Sequence, residues 1–175
     1  IGYVPEDRLT QGLFMDRSIQ DNTVASSIRK DMKGGKLDEQ AMETVTRRWI
    51  DEINIVAPSP KPAVRTLSGG NAQKVIVARE VSANNRFLLA SQPTRGVDIG
   101  AIEYIRKQLV ALRDSGKAIL LVSAELDEIL SLSARIIVMY EGEIVGTFCP
   151  EETTEEELGL YMTGSRRMEL DGGAL

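Results

Sequence analysis

The stretch Leu67-Ser68-Gly69-Gly70-Asn71-Ala72-Gln73-Lys74, which runs on into Val75-Ile76-Val77-Ala78, decides how this chain is read. It follows the turn-forming segment Pro58-Ser59-Pro60-Lys61-Pro62, so a helix is expected to open at Ser68. Serine is a good N-cap, because its hydroxyl accepts a bond from an otherwise unpaired amide of the first turn. Gly69 and Gly70 leave the backbone bare, and a ligand oxygen can approach the free amides closely. Those amides and the helix dipole together suit phosphate oxygens. An ordinary capped helix would carry the same residues, so the motif gains meaning only from its surroundings.

Those surroundings are specific. LSGGNAQKVIVARE, residues 67–80, resembles the signature motif of ABC-type ATPases. Further on, Phe87-Leu88-Leu89-Ala90-Ser91-Gln92-Pro93-Thr94-Arg95-Gly96-Val97-Asp98 is similar to that family's Walker B strand and D-loop. Two motifs in this order and at this distance are more specific than either alone, and the resemblance runs over nearly the whole chain. Thr94-Arg95-Gly96-Val97-Asp98 is similar to the ATPases of sugar and nucleoside importers, in which two ATPase halves share one polypeptide. The runs Gln92–Gly96 and Ser123-Ala124-Glu125-Leu126-Asp127-Glu128 are most similar to the second half in the nucleoside branch.

Composition agrees with one domain's worth of soluble chain. Of the 175 residues, 42% are hydrophobic, enough for a sizeable core, and 27% are charged. The net charge of −5, without a basic run longer than Arg47-Arg48 or Arg166-Arg167, argues against nucleic-acid binding. No apolar run approaches the ~18 residues of a membrane helix, and no signal peptide is read at the start. Cys149 is the only cysteine, so no internal disulfide can form and a reducing compartment is expected. The chain has no histidine, which excludes Ser-His and Cys-His nucleophilic chemistry and His-based zinc sites within it. Ile1-Gly2-Tyr3-Val4 reads as a strand already under way, and the chain is expected to be a piece of something longer.

The expected fold is α/β: a partial ABC-type nucleotide hydrolase with a parallel sheet, a small helical subdomain and a C-terminal β-hairpin. Residues 1–8 are read as a strand and a segment like the family's Q-loop. Residues 9–75 are read as the helical subdomain ending in the signature, with a loop over Leu9–Met15 and a helix from Ser18 that buries Ile19, Val24 and Ile28. The paired glycines of Lys33-Gly34-Gly35-Lys36 break that helix. The next one, after Asp38, aligns Met42, Val45, Trp49 and Ile53 on one face, which is assigned to packing. Residues 76–164 form the core lobe. Its elements are a buried strand over Arg86–Ala90, a turn from Gly96 to Gly100 and a helix with Ile102, Ile105, Leu109 and Leu112 inward. A second continuous apolar strand over Ala118–Ser123 follows, then a short helix and a hairpin around Glu141-Gly142. Alternating strands and helices imply parallel pairing. Thr154 and Glu157 suit a capping box for the last helix, Gly164 ends it, and residues 165–175 are read as a flexible tail.

The resemblance also identifies what this chain lacks. A nucleotide hydrolase of this kind needs a phosphate-cradling loop, a metal-holding carboxylate, a base or water-orienting group, and charge stabilisation. No segment matches the phosphate loop G-x-x-x-x-G-K-S/T. Relatives end the Walker B strand in Asp-Glu-Pro-Thr. Here Ser91 stands where the carboxylate that holds Mg²⁺ is expected, and Gln92 where the catalytic glutamate is expected. Ala124 takes the place of the switch histidine, and Glu6 that of the Q-loop glutamine. An amide accepts no proton as a base, though it can orient water. The half's own site is therefore expected not to hydrolyse ATP.

The signature itself is intact. The resemblance implies that Ser68, Gly69, Gly70 and Asn71 contact the γ-phosphate of an ATP held by another ABC ATPase half, with Asp98 at the same interface. ATP and Mg²⁺ would then be held mainly by regions outside this chain. Expected partners are that other half, membrane-spanning permeases and, indirectly, an extracellular solute-binding protein, placing the chain at the cytoplasmic face of the membrane. The alternatives are a non-transport ABC ATPase of translation or chromosome maintenance, and a non-catalytic interaction module. With its neighbouring strand missing, one apolar sheet edge would lie open, and self-association is expected.

Overall fold

The computed structural model describes residues 1–33 and 35–168; Gly34 of the expected helix break and residues 169–175 of the expected tail lie outside them. The chain divides into two units, Ile1–Val122 and Ser123–Leu175.

In the first unit, β1 (Gly2–Val4) is followed by a single helical turn at Arg8–Gly12 and by α1 (Ile19–Val24). Ser18 and Asp21 cap α1 reciprocally, each side chain accepting from the other's backbone amide. A two-stranded ribbon, β2 (Met32–Lys33) and β3 (Lys36–Leu37), occupies the expected helix break. It leads to α2 (Glu39–Glu52), capped by Asp38, and then to α3 (Gly69–Ala83), capped by Ser68. β4 (Phe87–Ser91), α4 (Ile99–Asp114) and β5 (Ala118–Val122) complete the unit. The three strands form one parallel sheet in the order β1-β4-β5, with Val4 opposite Ala90 and Ser91 opposite Val122. α3 packs against α1, α4 and β1, so it runs through the middle of the unit. Val75, Ile76 and Ala78 are accordingly closed off from solvent, as are Ile19 and Val24 of α1.

Several expectations need correction. Leu9–Met15 is not a plain loop, because Asp7 accepts the amides of Leu9 and Thr10 and winds the chain into the turn Arg8–Gly12. Ile28 is 37% exposed rather than buried, since α1 ends at Val24 and a separate 3₁₀ turn begins at Ile28. On α2, Val45 is only half-buried and Thr46 takes the inward position, its hydroxyl satisfied by the carbonyl of Met42. β5 is the apolar strand expected over this stretch and lies at an edge of the described sheet. It pairs only with β4 among the described residues, and Leu120 and Val122 remain about half exposed.

In the second unit, α5 (Leu126–Leu132) precedes the hairpin β6 (Ile136–Tyr140) and β7 (Glu143–Phe148), and α6 (Glu155–Met162) follows. Glu141 and Gly142 both have positive φ, 50° and 82°, as a two-residue hairpin turn requires. Ile136, Val138, Val145, Phe148, Leu158 and Tyr161 make the core of this unit, with the Phe148 and Tyr161 rings edge to face at 4.8 Å. Thr154 caps α6 through the Glu157 amide, but the Glu157 carboxylate accepts from the Thr153 hydroxyl instead of closing the box. Cys149 is exposed and donates to Glu151, a bond that raises its thiol pKa and keeps it protonated. No helix among the described residues is long and apolar enough to cross a membrane.

Candidate functional site

The first turn of α3 is built as the sequence leads one to expect, and its details say which groups are free. Ser68 Oγ accepts from the Asn71 amide at 3.4 Å and from Asn71 Nδ2 at 2.9 Å. A serine hydroxyl has two acceptor sites and one proton, so the O–H remains to donate outward. The Gly69 and Gly70 amides belong to the first turn, where a helix offers no acceptor. Asn71 is less available: its side-chain oxygen accepts from the Val56 amide at 3.0 Å, clipping the preceding loop to the cap.

A side chain at either glycine would meet a neighbour, closely at Gly70 and only the movable end of Arg8 at Gly69. A Cβ on Gly70 would meet the carboxylate of Asp98, and one on Gly69 would lie 2.9 Å from Arg8 Nη2 and 3.4 Å from the Gly96 carbonyl. Asp98 caps α4, accepting from the Ala101 amide at 2.9 Å, while its second oxygen lies over Gly70. The α3 turn is thus packed between the turn after β4 and the turn after β1.

At the carboxyl ends of β1 and β4 lies a cleft of about 550 Å³, lined among others by Tyr3, Glu6, Arg8, Ser91, Arg95 and Gly96. Such crevices beyond the strand ends are where open α/β sheets place ligands. Glu6 forms an ion pair with Arg95 across this cleft. Ser91 ends β4 and offers only a hydroxyl, and Glu6 is already charge-paired. No group of three or more Asp, Glu, His or Cys able to hold a metal occurs among the described residues. Beside Ser91 the cleft thus offers a hydroxyl, the Arg95-paired Glu6 and Asp7, whose carboxylate accepts from Leu9 and Thr10. Gln92 follows with φ of 47°, a left-handed conformation costly for a residue with a side chain, and its amide donates to the Val122 carbonyl at 2.7 Å.

Asp98 thus meets the Ser68–Asn71 turn at Gly70, Glu6 and Ser91 line the cleft, and Gln92 follows Ser91 in the chain, all within the first unit. Ala124 belongs to the second unit, just before α5.

Two residues of this region escape sequence reading. Arg8 donates through Nη1 to the Arg95 carbonyl at 2.8 Å and through Nη2 to the Gly96 carbonyl at 3.3 Å. Gln73, 2% exposed, donates to the Pro93 carbonyl at 2.9 Å. A glutamine inside the buried face of α3 was the available signal for the second. For Arg8 the signal was only a charged turn directly after a strand.

The chain is 46% identical over 171 residues to the guanosine import ATP-binding protein NupO of Bacillus subtilis, an alignment covering 97% of this chain and 34% of that protein. It is 39% identical over 178 residues to the glucose import ATP-binding protein TsgD13 of Haloferax volcanii, covering 99% of this chain and 32% of that one. The chain spans about a third of the length of these curated relatives. Among solved structures, the dimeric ATP-binding cassette MJ0796, in a post-hydrolysis state bound to ADP and Pi, superposes with a TM-score of 0.69. That match has 20% identity and covers 85% of this chain and 62% of that one, a likeness of fold. No protein-family model matches the chain.

Proposed function

This chain belongs to the ABC-transporter ATP-binding proteins of the sugar and nucleoside importer type, and from that premise we propose that it supplies the signature turn of an ATP site whose phosphate loop lies on another ATPase half. The observation that carries the reading is the first turn of α3. Its Ser68 hydroxyl and the Gly69 and Gly70 amides stand unspent at a helix N-terminus, held in place by Asp98 and Arg8. Asn71 contributes by holding Ser68 in its capping position. ATP turnover by the full-length protein assembled with its permeases is the test. Turnover lost on Gly69→Asp supports the reading, and unchanged turnover overturns it.

The chain's own site is, on this reading, hydrolytically silent. Ser91 brings no carboxylate, Gln92 is no base, and Glu6 is held by Arg95. Ala124 has no group to orient a phosphate. Trapping nucleotide in turning-over full-length protein is expected to leave ADP at one site of each subunit. Equal trapping at the site containing Gln92 would refute the silence.

The subunit is a peripheral protein at the cytoplasmic face of the membrane, working with permeases and, through them, a solute-binding protein. The higher identity to the guanosine importer subunit than to the glucose one, 46% against 39%, supports a nucleoside over a sugar as the solute. β5, with Leu120 and Val122 half exposed, leaves a row of backbone donors and acceptors at the sheet edge. The chain expressed by itself is expected to self-associate in light scattering, and a monodisperse monomer would count against that.

A further inference from the structure

We infer that Arg8 is a positioning residue for the signature turn: its guanidinium sets the spacing between Gly69 at the start of α3 and Arg95-Gly96 after β4. The inference rests on the proposed role of that turn.

The segment that carries Arg8 is anchored on both sides. Asp7 accepts the amides of Leu9 and Thr10 at 3.0 and 3.2 Å and the Thr10 hydroxyl at 2.6 Å. At the other end, the Gly12 carbonyl accepts from Arg79 Nη1 at 2.7 Å, and a Cβ on Gly12 would lie 2.7 Å from Ile76 Cδ1. Arg79 and Ile76 both belong to α3, so the base of Arg8 is tied to the helix whose first turn its head adjoins.

The head spans the remaining gap. Its two terminal nitrogens donate to consecutive carbonyls, those of Arg95 and Gly96, in the forked geometry that guanidinium supplies and ammonium does not. The same group is wedged between two glycines. A Cβ on Gly69 would sit 2.9 Å from Nη2, and one on Gly96 would sit 3.5 Å from Nη2 and 3.7 Å from Nη1. Gly96 has φ of 65°, so its carbonyl is aimed by a conformation that side chains disfavour. The Glu6–Arg95 pair holds the same turn from the β1 side. Arg8 therefore links the segment after β1 to the turn after β4 and to the α3 turn at one point. Through that point, a ligand meeting the α3 turn is registered against the segment after β1.

Full-length protein assembled with its permeases tests this, with kcat referred to the amount of subunit that binds ATP, so that misfolded protein is not counted. Arg8→Gln removes the fork and is expected to lower kcat about tenfold, the cost of a sub-ångström misplacement of the α3 turn. The KM for ATP should stay within about twofold, because ground-state binding rests on the other half. Gly69→Ala should also slow turnover, since its methyl must displace Arg8. With Arg8→Ala measured alone, the loss in the double variant Arg8→Ala, Gly69→Ala should fall short of the product of its two single losses, because the methyl then has nothing to displace. A kcat for Arg8→Gln within about twofold of wild type, or losses that simply multiply, would overturn the inference. Gly69→Asp separates it from its premise. If that change leaves turnover intact, the reading of the α3 turn itself falls. If it abolishes turnover while Arg8→Gln does not slow it, the reading stands and Arg8 has no part in it.

Discussion

Replacing Gly69 with Asp is expected to reduce ATP turnover by the full-length protein and its permeases by about a hundredfold or more. The new side chain points at Arg8 Nη2, the flexible end of a long residue, so the backbone need not move far. An acidic residue in the first turn even favours the helix dipole, and the fold should tolerate it. The damage is electrostatic. A carboxylate placed where phosphate oxygens are received repels them by about 4 kcal/mol at 4 Å and an effective dielectric constant near 20. At about 1.4 kcal/mol per factor of ten, even half of that energy slows the reaction substantially, and the whole of it exceeds a hundredfold. The aspartate would also draw Arg8 off the carbonyls of Arg95 and Gly96, adding to the loss. Gly69→Asn, similar in size and uncharged, separates the two effects: it should lose much less turnover. Equal losses in both variants would assign the effect to space rather than charge.

The second large effect concerns stability. Glu80→Ala is expected to cost about 3–5 kcal/mol, read as a fall in the denaturant midpoint, because it strands a buried charge. Glu80 is 8% exposed and accepts from Arg79 Nε at 2.8 Å, from the Ser26 hydroxyl at 3.2 Å and from the Tyr3 amide at 3.2 Å. One carboxylate thus holds the middle of β1, the segment after α1 and its own neighbour on α3. Without it, Arg79 keeps the Gly12 carbonyl but loses its counter-charge in a site water hardly reaches. Against a typical total stability of about 5–15 kcal/mol, such a loss is large. Glu80→Gln keeps the shape and part of the bonding, so its midpoint should fall between wild type and Glu80→Ala. A Glu80→Ala midpoint equal to wild type would mean that Arg79 is neutralised by other means.

The local features were legible because short-range bonds make them. Ser68 to Asn71 and Asp38 to Ala41 each close a helix start within three residues, whereas Asp98, read within a turn from Gly96 to Gly100, proves to cap α4 through Ala101. The apolar runs after Arg86 and Lys117 likewise announce strands, and the order of motifs announces a parallel sheet. The exposure of Ile28 was not legible, since helical periodicity says which residues share a face but not where the helix stops. An open apolar edge was expected, but not that β5 forms it, because a continuous apolar run is the same string whether a strand is covered or lies at an edge.

Sequence alone determined the main strands and helices and the Ser68 cap, which are properties of neighbours along the chain. Only the tertiary structure decided which distant groups meet. Arg8 reaches carbonyls 87 and 88 residues away, Glu80 receives the amide of Tyr3, and Gln73 finds Pro93. One side of each of these contacts is a backbone carbonyl or amide, a group that recurs along the whole chain. No residue type marks such a partner in the sequence; packing α3 between the strand ends selects it.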